Sequence, residues 1–349
     1  MNLSFFQKTL FVLAGISLMV AVLSGAANYA SAVKAAREHV IDQVMGDLKA
    51  STDYFDKVYA ARIYSDLASL EAMPSLRQFM GSPEGSRHLS QADTEQEYVR
   101  LLAANKRYLS VRFMDEEGIQ RIAVEEGKRI KEHVSIDERA KRDAYDEQIA
   151  ELFGRMKDEL PQTVLFGQPF EDNKAGKVFL AGIGKMDPDI GGFGGAVIIR
   201  CSLSDYLEYV STFKVFGKVV AWVFDQKGNI LFRPPDTDQS LNPIPYLSGA
   251  EKPPEDFIVL SSASKTGQKA EDFLVVAFSV SPETVSSASR RIIFSTVAVL
   301  LLTAGISVLV SFFVAKRLAA PISALANASR AIAAGDFSAR VKPGGGGEL

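Results

Sequence analysis

Hydrophobic positions fall into two kinds of pattern along this chain: unbroken runs near its two ends and periodic spacing between them. Residues 292–314 are apolar and uncharged, with Arg290-Arg291 before them and Lys316-Arg317 after. About twenty such residues, each rising 1.5 Å, cross a bilayer core of roughly 30 Å, so a membrane span is expected over 291–314. Residues 9–27 form a second apolar run just after Lys8. Two readings of it stay open. Ala30-Ser31-Ala32 fits the cleavage pattern of a signal peptide, whereas the length of the run fits an uncleaved anchor, the reading we prefer for residues 1–33. Both readings export the region between the runs.

Within that region the spacing is periodic. Val40, Val44, Leu48, Phe55, Val58 and Ala61 recur at steps of three, four or seven, which predicts a long amphipathic stalk helix over 34–74, ending near Pro74. A loop rich in Gly, Ser and Pro follows, then a helix over 94–105. Leu109, Val111 and Phe113 alternate with Tyr108, Ser110 and Arg112. Asp115-Glu116-Glu117-Gly118 makes a turn and 119–124 returns, the pattern of a β-hairpin. A charged helical stretch over 137–160 precedes strands at 163–166, 177–183 and 195–201. After a helix at 204–213 the scheme repeats on a smaller scale. It has a strand at 219–224, a turn at Asp225-Gln226-Lys227-Gly228, a return at 229–232, and strands at 257–260 and 272–280 around a turn at Lys265-Thr266-Gly267. MDEEGIQRIAV and FDQKGNILFRP are weakly similar, so tandem versions of one fold are expected, over 75–202 and 203–290. The fold class is α+β, with two antiparallel-sheet modules on a long N-terminal helix between two spans.

After the second run, Pro321 is followed by Ile322, Leu325, Ala328 and Ile332 at helical spacing, and the pattern stops at Gly335-Asp336. A span feeding an amphipathic helix suits the transfer of motion across a membrane. Composition narrows the alternatives. A length of 349 residues leaves room for two or three domains, and a net charge of −3 without a clustered basic face argues against a nucleic-acid partner. The single cysteine, Cys201, excludes an intramolecular disulfide and a cysteine-based metal site, and its apolar surroundings make it a small buried hydrophobe. His39, His88 and His133 lack metal-ligand spacing, and no P-loop, G-x-S-x-G or H-E-x-x-H occurs. Gly182-Ile183-Gly184 lacks the third glycine of a dinucleotide site, and Trp222 reads as core. No metal, cofactor or catalytic set is expected within these residues.

VRFMDEEG with its return, GGAVIIRCSLSDYL and AWVFDQKGNILFRP, set between a long helix and a span, resemble a double Cache sensor with PAS-like sheets. Residues 315–349 resemble a HAMP linker, through Pro321-Ile322 with Leu325, Gly335-Asp336-Phe337, and Glu348 where that family often has a glutamate. The second HAMP helix is missing, which reads as a chain cut before its output. The resemblance implies a homodimer through stalk and HAMP helices in a bacterial inner membrane. It places residues 34–291 outside the cytoplasm and 315–349 inside. It also implies that Pro321, Ile322, Leu325, Ile332, Gly335, Asp336 and Glu348 relay the signal.

For a ligand the resemblance points to the first module, against its sheet and under a cap. Tyr108, Ser110 and Arg112 are expected on one face of a strand, with Arg121 on its partner strand and Lys185 and Asp187 past another strand, bordering one pocket. An arginine there suits a carboxylate through charge-assisted, bidentate bonds. The bland alternative is a solvated face with Arg112 paired to Glu116 or Glu117. Arg112-Phe113-Met114 lacks the tryptophan of the amino-acid-binding subset, which points to another small organic anion. The expected function is a transmembrane receptor whose output is a histidine kinase. A diguanylate cyclase, chemoreceptor or serine phosphatase output is the alternative, and a membrane-anchored binding protein is the rival from another class.

Overall fold

The computed structural model describes residues 5–130, 135, 144–187, 191–213, 219–235, 237, 241–254, 257–266 and 271–334. The chain divides into two compact units, residues 41–284 and residues 1–40 with 285–349. Helix α1 (Phe5–Tyr54) enters the first of these at residue 41 and passes through a π-turn, Phe55–Ala60, into α2 (Ala61–Glu71). Val44, Leu48 and Phe55 are buried as their spacing predicts, but Val58 is 50% exposed and Tyr59, Ile63 and Leu67 are buried in its place. The π-turn is the cause. Each of its turns holds more residues than an α-turn, so the buried stripe moves from Phe55 to Tyr59 rather than to Val58. Pro74 opens α3 (Pro74–Gly81), where its missing N–H costs no helical bond, and α4 (Arg87–Ala104) begins before the stretch expected from 94.

A seven-stranded antiparallel sheet follows, from β1 (Tyr108–Asp115), β2 (Gln120–Glu125), β3 (Lys128–Arg129), β4 (Val164–Phe166), β5 (Phe170–Asp172), β6 (Gly176–Met186) and β7 (Phe193–Ser202). Its order is β3-β2-β1-β7-β6-β4, with β5 also on β6. Strands β3 and β5 are too short to leave a period in the sequence. One face of the sheet packs on the long helix and its successors: Phe79 of α3 meets Phe113 edge-on at 6.1 Å, and Tyr59 lies 6.4 Å from Phe179. The other face is covered by α5 (Ala144–Asp158), whose Ile149, Leu152, Phe153 and Met156 pack on Met114, Leu165, Leu180, Ala196 and Ile198.

Helix α6 (Ser204–Ser211) leads to a four-stranded antiparallel sheet of order β10-β11-β8-β9, formed by β8 (Val219–Asp225), β9 (Ile230–Phe232), β10 (Ile258–Thr266) and β11 (Glu271–Val280). Lys265 and Thr266, expected in a turn, remain paired with Asp272 and Glu271. A short α7 (Ile244–Leu247) packs on β10. The two sheets meet through rings. Phe273 of β11 lies 5.1 Å from Phe179 and 5.5 Å from both Phe166 and Phe55. Truncating such a buried phenylalanine costs about 3–5 kcal/mol.

The weak similarity of the two hairpins holds at atomic detail. In the first, Asp115 N–H donates to the Ile119 carbonyl at 3.0 Å, Gly118 N–H to the Asp115 carbonyl at 2.9 Å and Ile119 N–H to Asp115 Oδ1 at 2.8 Å. In the second, Asp225, Gly228 and Asn229 make the same three bonds at 3.0, 3.1 and 2.8 Å. Gly118 and Gly228 both sit at positive φ, +79° and +82°, which the turn requires and glycine adopts freely.

In the other unit, α8 (Pro282–Ala333) contains the one stretch among the described residues long and apolar enough to span a membrane, Phe294–Val314. For the N-terminal run the structure gives helix α1 without adding a second span. Helices α1 and α8 approach closely at Gly25, where a β-carbon would collide with the Leu300 side chain. Pro321 lies inside α8, Ile322 and Leu325 are exposed, and Gly335, Asp336 and Glu348 fall outside the described residues.

Candidate functional site

The six ligand candidates do not form one pocket. A register shift between Tyr108 and Ser110 breaks the alternation of β1, because Tyr108 faces Cys201 on β7 while Ser110 faces Arg200. Tyr108 therefore turns to the helix side, where its hydroxyl donates to Asp66 Oδ2 at 2.7 Å. That corrects the shared face expected for Tyr108, Ser110 and Arg112, because an irregular ladder shifts the period of two. Lys185 also lies on the helix side and donates to the Glu71 carbonyl at 2.5 Å, a cation at the C-terminal end of α2. Arg121 Nε lies 2.5 Å from Asp115 Oδ2, and both border a small cleft of about 180 Å³ with Asp187, Arg87 and Phe113.

Ser110 and Arg112 remain together under α5, joined by residues the sequence reading missed. Arg112 Nη1 donates to Gln120 Oε1 at 2.7 Å and Nη2 to Glu125 Oε2 at 2.9 Å. Arg200 Nη2 donates to the other oxygen of the same carboxylate, Glu125 Oε1, at 2.7 Å, and Nη1 to Asp172 Oδ2 at 3.0 Å. The Tyr145 ring lies 5.2 Å from the Arg112 guanidinium and 4.9 Å from that of Arg200, and its hydroxyl is 3.2 Å from Ser110 Oγ. So Arg112 pairs with Glu125, not with Glu116 or Glu117.

Local sequence places each member. Ser110 on β1 stands opposite Glu125 on β2 and Arg200 on β7, so all three project from one face. Asp172 ends β5, and its Oδ1 accepts the Lys174 and Ala175 amides at 2.8 and 2.9 Å. Burial raises the Asp172 carboxyl, but those amides and the Arg200 charge outweigh it and hold the group below the usual carboxylate range. Both guanidiniums are almost fully buried, and the Nε of each has no partner among the described residues. Two buried cations are thus bridged by one carboxylate beside an aromatic face. Arg200 had a sequence signal: it is the one charge in the strand GGAVIIRCS. Tyr145, Glu125 and Asp172 had none, because each lies in a polar stretch.

The HAMP domain family matches residues 313–349. Curated protein sequences give no match. Among solved structures, the extracellular domain described for the histidine kinase vpHK1S-Z8 shares 12% identity at a TM-score of 0.55, over 72% of this chain and 98% of its own. A domain of a sensory box/GGDEF family protein from Vibrio parahaemolyticus shares 11% at 0.50, over 71% and 98%. The sensory domain of the Campylobacter jejuni chemoreceptor Tlp3, solved with isoleucine bound, shares 12% at 0.50, over 73% and 98%. These likenesses show the fold alone, here in a chain that also has an apolar helix and a HAMP match.

Proposed function

We propose that this chain is a transmembrane signal-transducing receptor that senses a small carboxylate at Arg112 and Arg200 and relays the event through its HAMP segment. The observation that carries this reading is the pair of buried guanidiniums on the α5 face of the seven-stranded sheet, in a chain that also has an apolar helix and a HAMP match. Isoleucine, the ligand of the Campylobacter jejuni domain, carries a carboxylate that such a pair suits. In this reading the seven-stranded module is distal to the membrane and the four-stranded module proximal. The chain sits in a bacterial inner membrane, with 34–291 outside and two spans. Pro321, Ile322, Leu325, Ile332, Gly335, Asp336 and Glu348 carry the relay in a homodimer. Exposure of Ile322 and Leu325 supports that dimer, since a partner helix would cover them. The output we favour is a histidine kinase.

The test is a thermal-shift screen of small carboxylates, amines and sugars against the full chain in lipid nanodiscs. A carboxylate is expected to raise the Tm of the wild type and to leave Arg112→Met unmoved. A hit that Arg112→Met binds equally well would put sensing elsewhere.

A further inference from the structure

Every member of the Arg112–Arg200 cluster is accounted for by a partner except two atoms. Nε and Nη2 form one edge of a guanidinium, the edge that grips a carboxylate with two parallel bonds. On both arginines Nη2 is held by Glu125, and on both the adjacent Nε has no partner among the described residues. Glu125 thus half-fills the carboxylate-binding edge of each guanidinium. The opposite donors are fixed by the scaffold, through Gln120 on Arg112 and Asp172 on Arg200.

Charge points the same way. Arg112 and Arg200 are balanced one for one by Glu125 and Asp172. A second anion entering without displacing a carboxylate would meet an already neutral cluster and repulsion from Glu125 at close range. Of the four charged side chains Glu125 is the most exposed, at 29% against 14% for Asp172 and 5% and 8% for the arginines. It is the member most open to solvent. It also ends β2, just before a turn of Glu126 and Gly127 that both hold positive φ, +49° and +75°, and leads into the two-residue β3. The tip is tied to the sheet by the Glu126 N–H, which donates to the Leu109 carbonyl at 3.0 Å, and by the pairing of Glu125 with Lys128, so the Glu125 side chain can swing while its backbone stays paired, and the non-glycine Glu126 holds a conformation that costs it energy.

We infer that Glu125 is the resident occupant of the site: its carboxylate stands where the carboxylate of an exogenous ligand binds, and ligand binding is an exchange of one for the other. The inference rests on the proposed function, since it takes the arginine pair to be the sensing site. Exchange sets specificity. A ligand must outcompete a tethered carboxylate, so a lone small carboxylate binds weakly and one with further contacts to the surroundings binds well. Exchange also releases the Glu125 side chain from both arginines, which turns occupancy into a change at the sheet edge.

The test is rescue with acetate, the fragment removed when Glu125 is cut back to alanine. Full-length chain in nanodiscs is titrated with sodium acetate, with sodium chloride as the ionic control, and Tm is read. Glu125→Ala is expected to gain Tm with acetate at a midpoint at least tenfold lower than wild type, and to gain nothing specific from chloride. Adding Arg112→Met to Glu125→Ala should abolish the gain. The isosteric Glu125→Gln, which keeps side-chain volume, should bind acetate with a midpoint between the two. Equal midpoints for wild type, Glu125→Ala and Glu125→Gln would overturn the occupant reading, as would no acetate response in either variant. Failure of the site itself would look different: Arg112→Met would leave every carboxylate response of the wild type unchanged.

Discussion

Counted back from their turn aspartates, Arg112 on β1 stands where Trp222 stands on β8, and Ser110 where Val220 stands. The neighbouring strand keeps the correspondence: Ser110 faces Arg200, and Val220 faces Ser279. Two sheets with the same hairpin thus carry opposite chemistry on the same positions. The first holds two guanidiniums, two carboxylates and a tyrosine under a helix. The second holds Trp222 and Phe224, with ring centroids 6.2 Å apart, on Ala277, and the Trp222 indole N–H donates to Ser279 Oγ at 3.0 Å. The lesson is that the scaffold needs only its turn and its ladder. What stands on the covered face is free to be a charged cluster in one copy and plain core in the other. A buried charged cluster adds little stability over an apolar one, so the recognition proposed for it does not compete with a large folding role.

The comparison breaks most easily at Trp222. Trp222→Ala should cost about 4 kcal/mol by urea unfolding, from the loss of a fully buried ring, while the midpoint of any carboxylate response stays where it was. A displaced midpoint would mean that the second sheet takes part in the recognition proposed for the first. The turns offer a finer test. Gly118→Ala and Gly228→Ala each force a β-carbon into a left-handed conformation and should each cost about 1 kcal/mol, so a clear inequality would show that the hairpins are alike only in outline.

Acid titration sharpens the contrast with the smallest expected effect. Asp172 titrates below the ordinary value near 3.9, so its contribution is present above that value and is lost as pH falls through its folded pKa. Asp56, at the π-turn, is raised, first by burial, against the pull of the Ser264 hydroxyl on β10. Its ionised form costs stability at neutral pH, and the cost disappears as pH falls toward the unfolded value. Lowering the pH from 6 to 4 should therefore favour the contacts of Asp56 before it weakens those of Asp172. Hydrogen exchange of β10 against β5 reads the difference, and Asp172→Asn should remove the second effect.

How much of this the residues revealed depends on the length of each pattern. The hairpins, the long helix and the span-like run were legible because each repeats its period several times. Arg112 was legible because an arginine inside an alternating strand stands out. Its neighbours were not, since Glu125, Asp172 and Tyr145 meet it only through cross-strand pairing and the docking of α5, neither of which leaves a local mark. Tyr108 was assigned to the wrong face because an irregular ladder has no signature in a five-residue window. Val58 failed for the same kind of reason, because the extra residue of a π-turn is invisible to a count of threes and fours.

The π-turn at Phe55–Ala60 has one more consequence. Each residue rotates an α-helix by about 100°, so a surplus residue acts as a dislocation that puts the helix before it out of phase with the helix after it. Phe55 and Tyr59, four residues apart within that turn, stack at 5.3 Å, and both are buried. The phase between residues 41–54 and α2 is therefore set at a single turn, beneath the rings that join the two sheets.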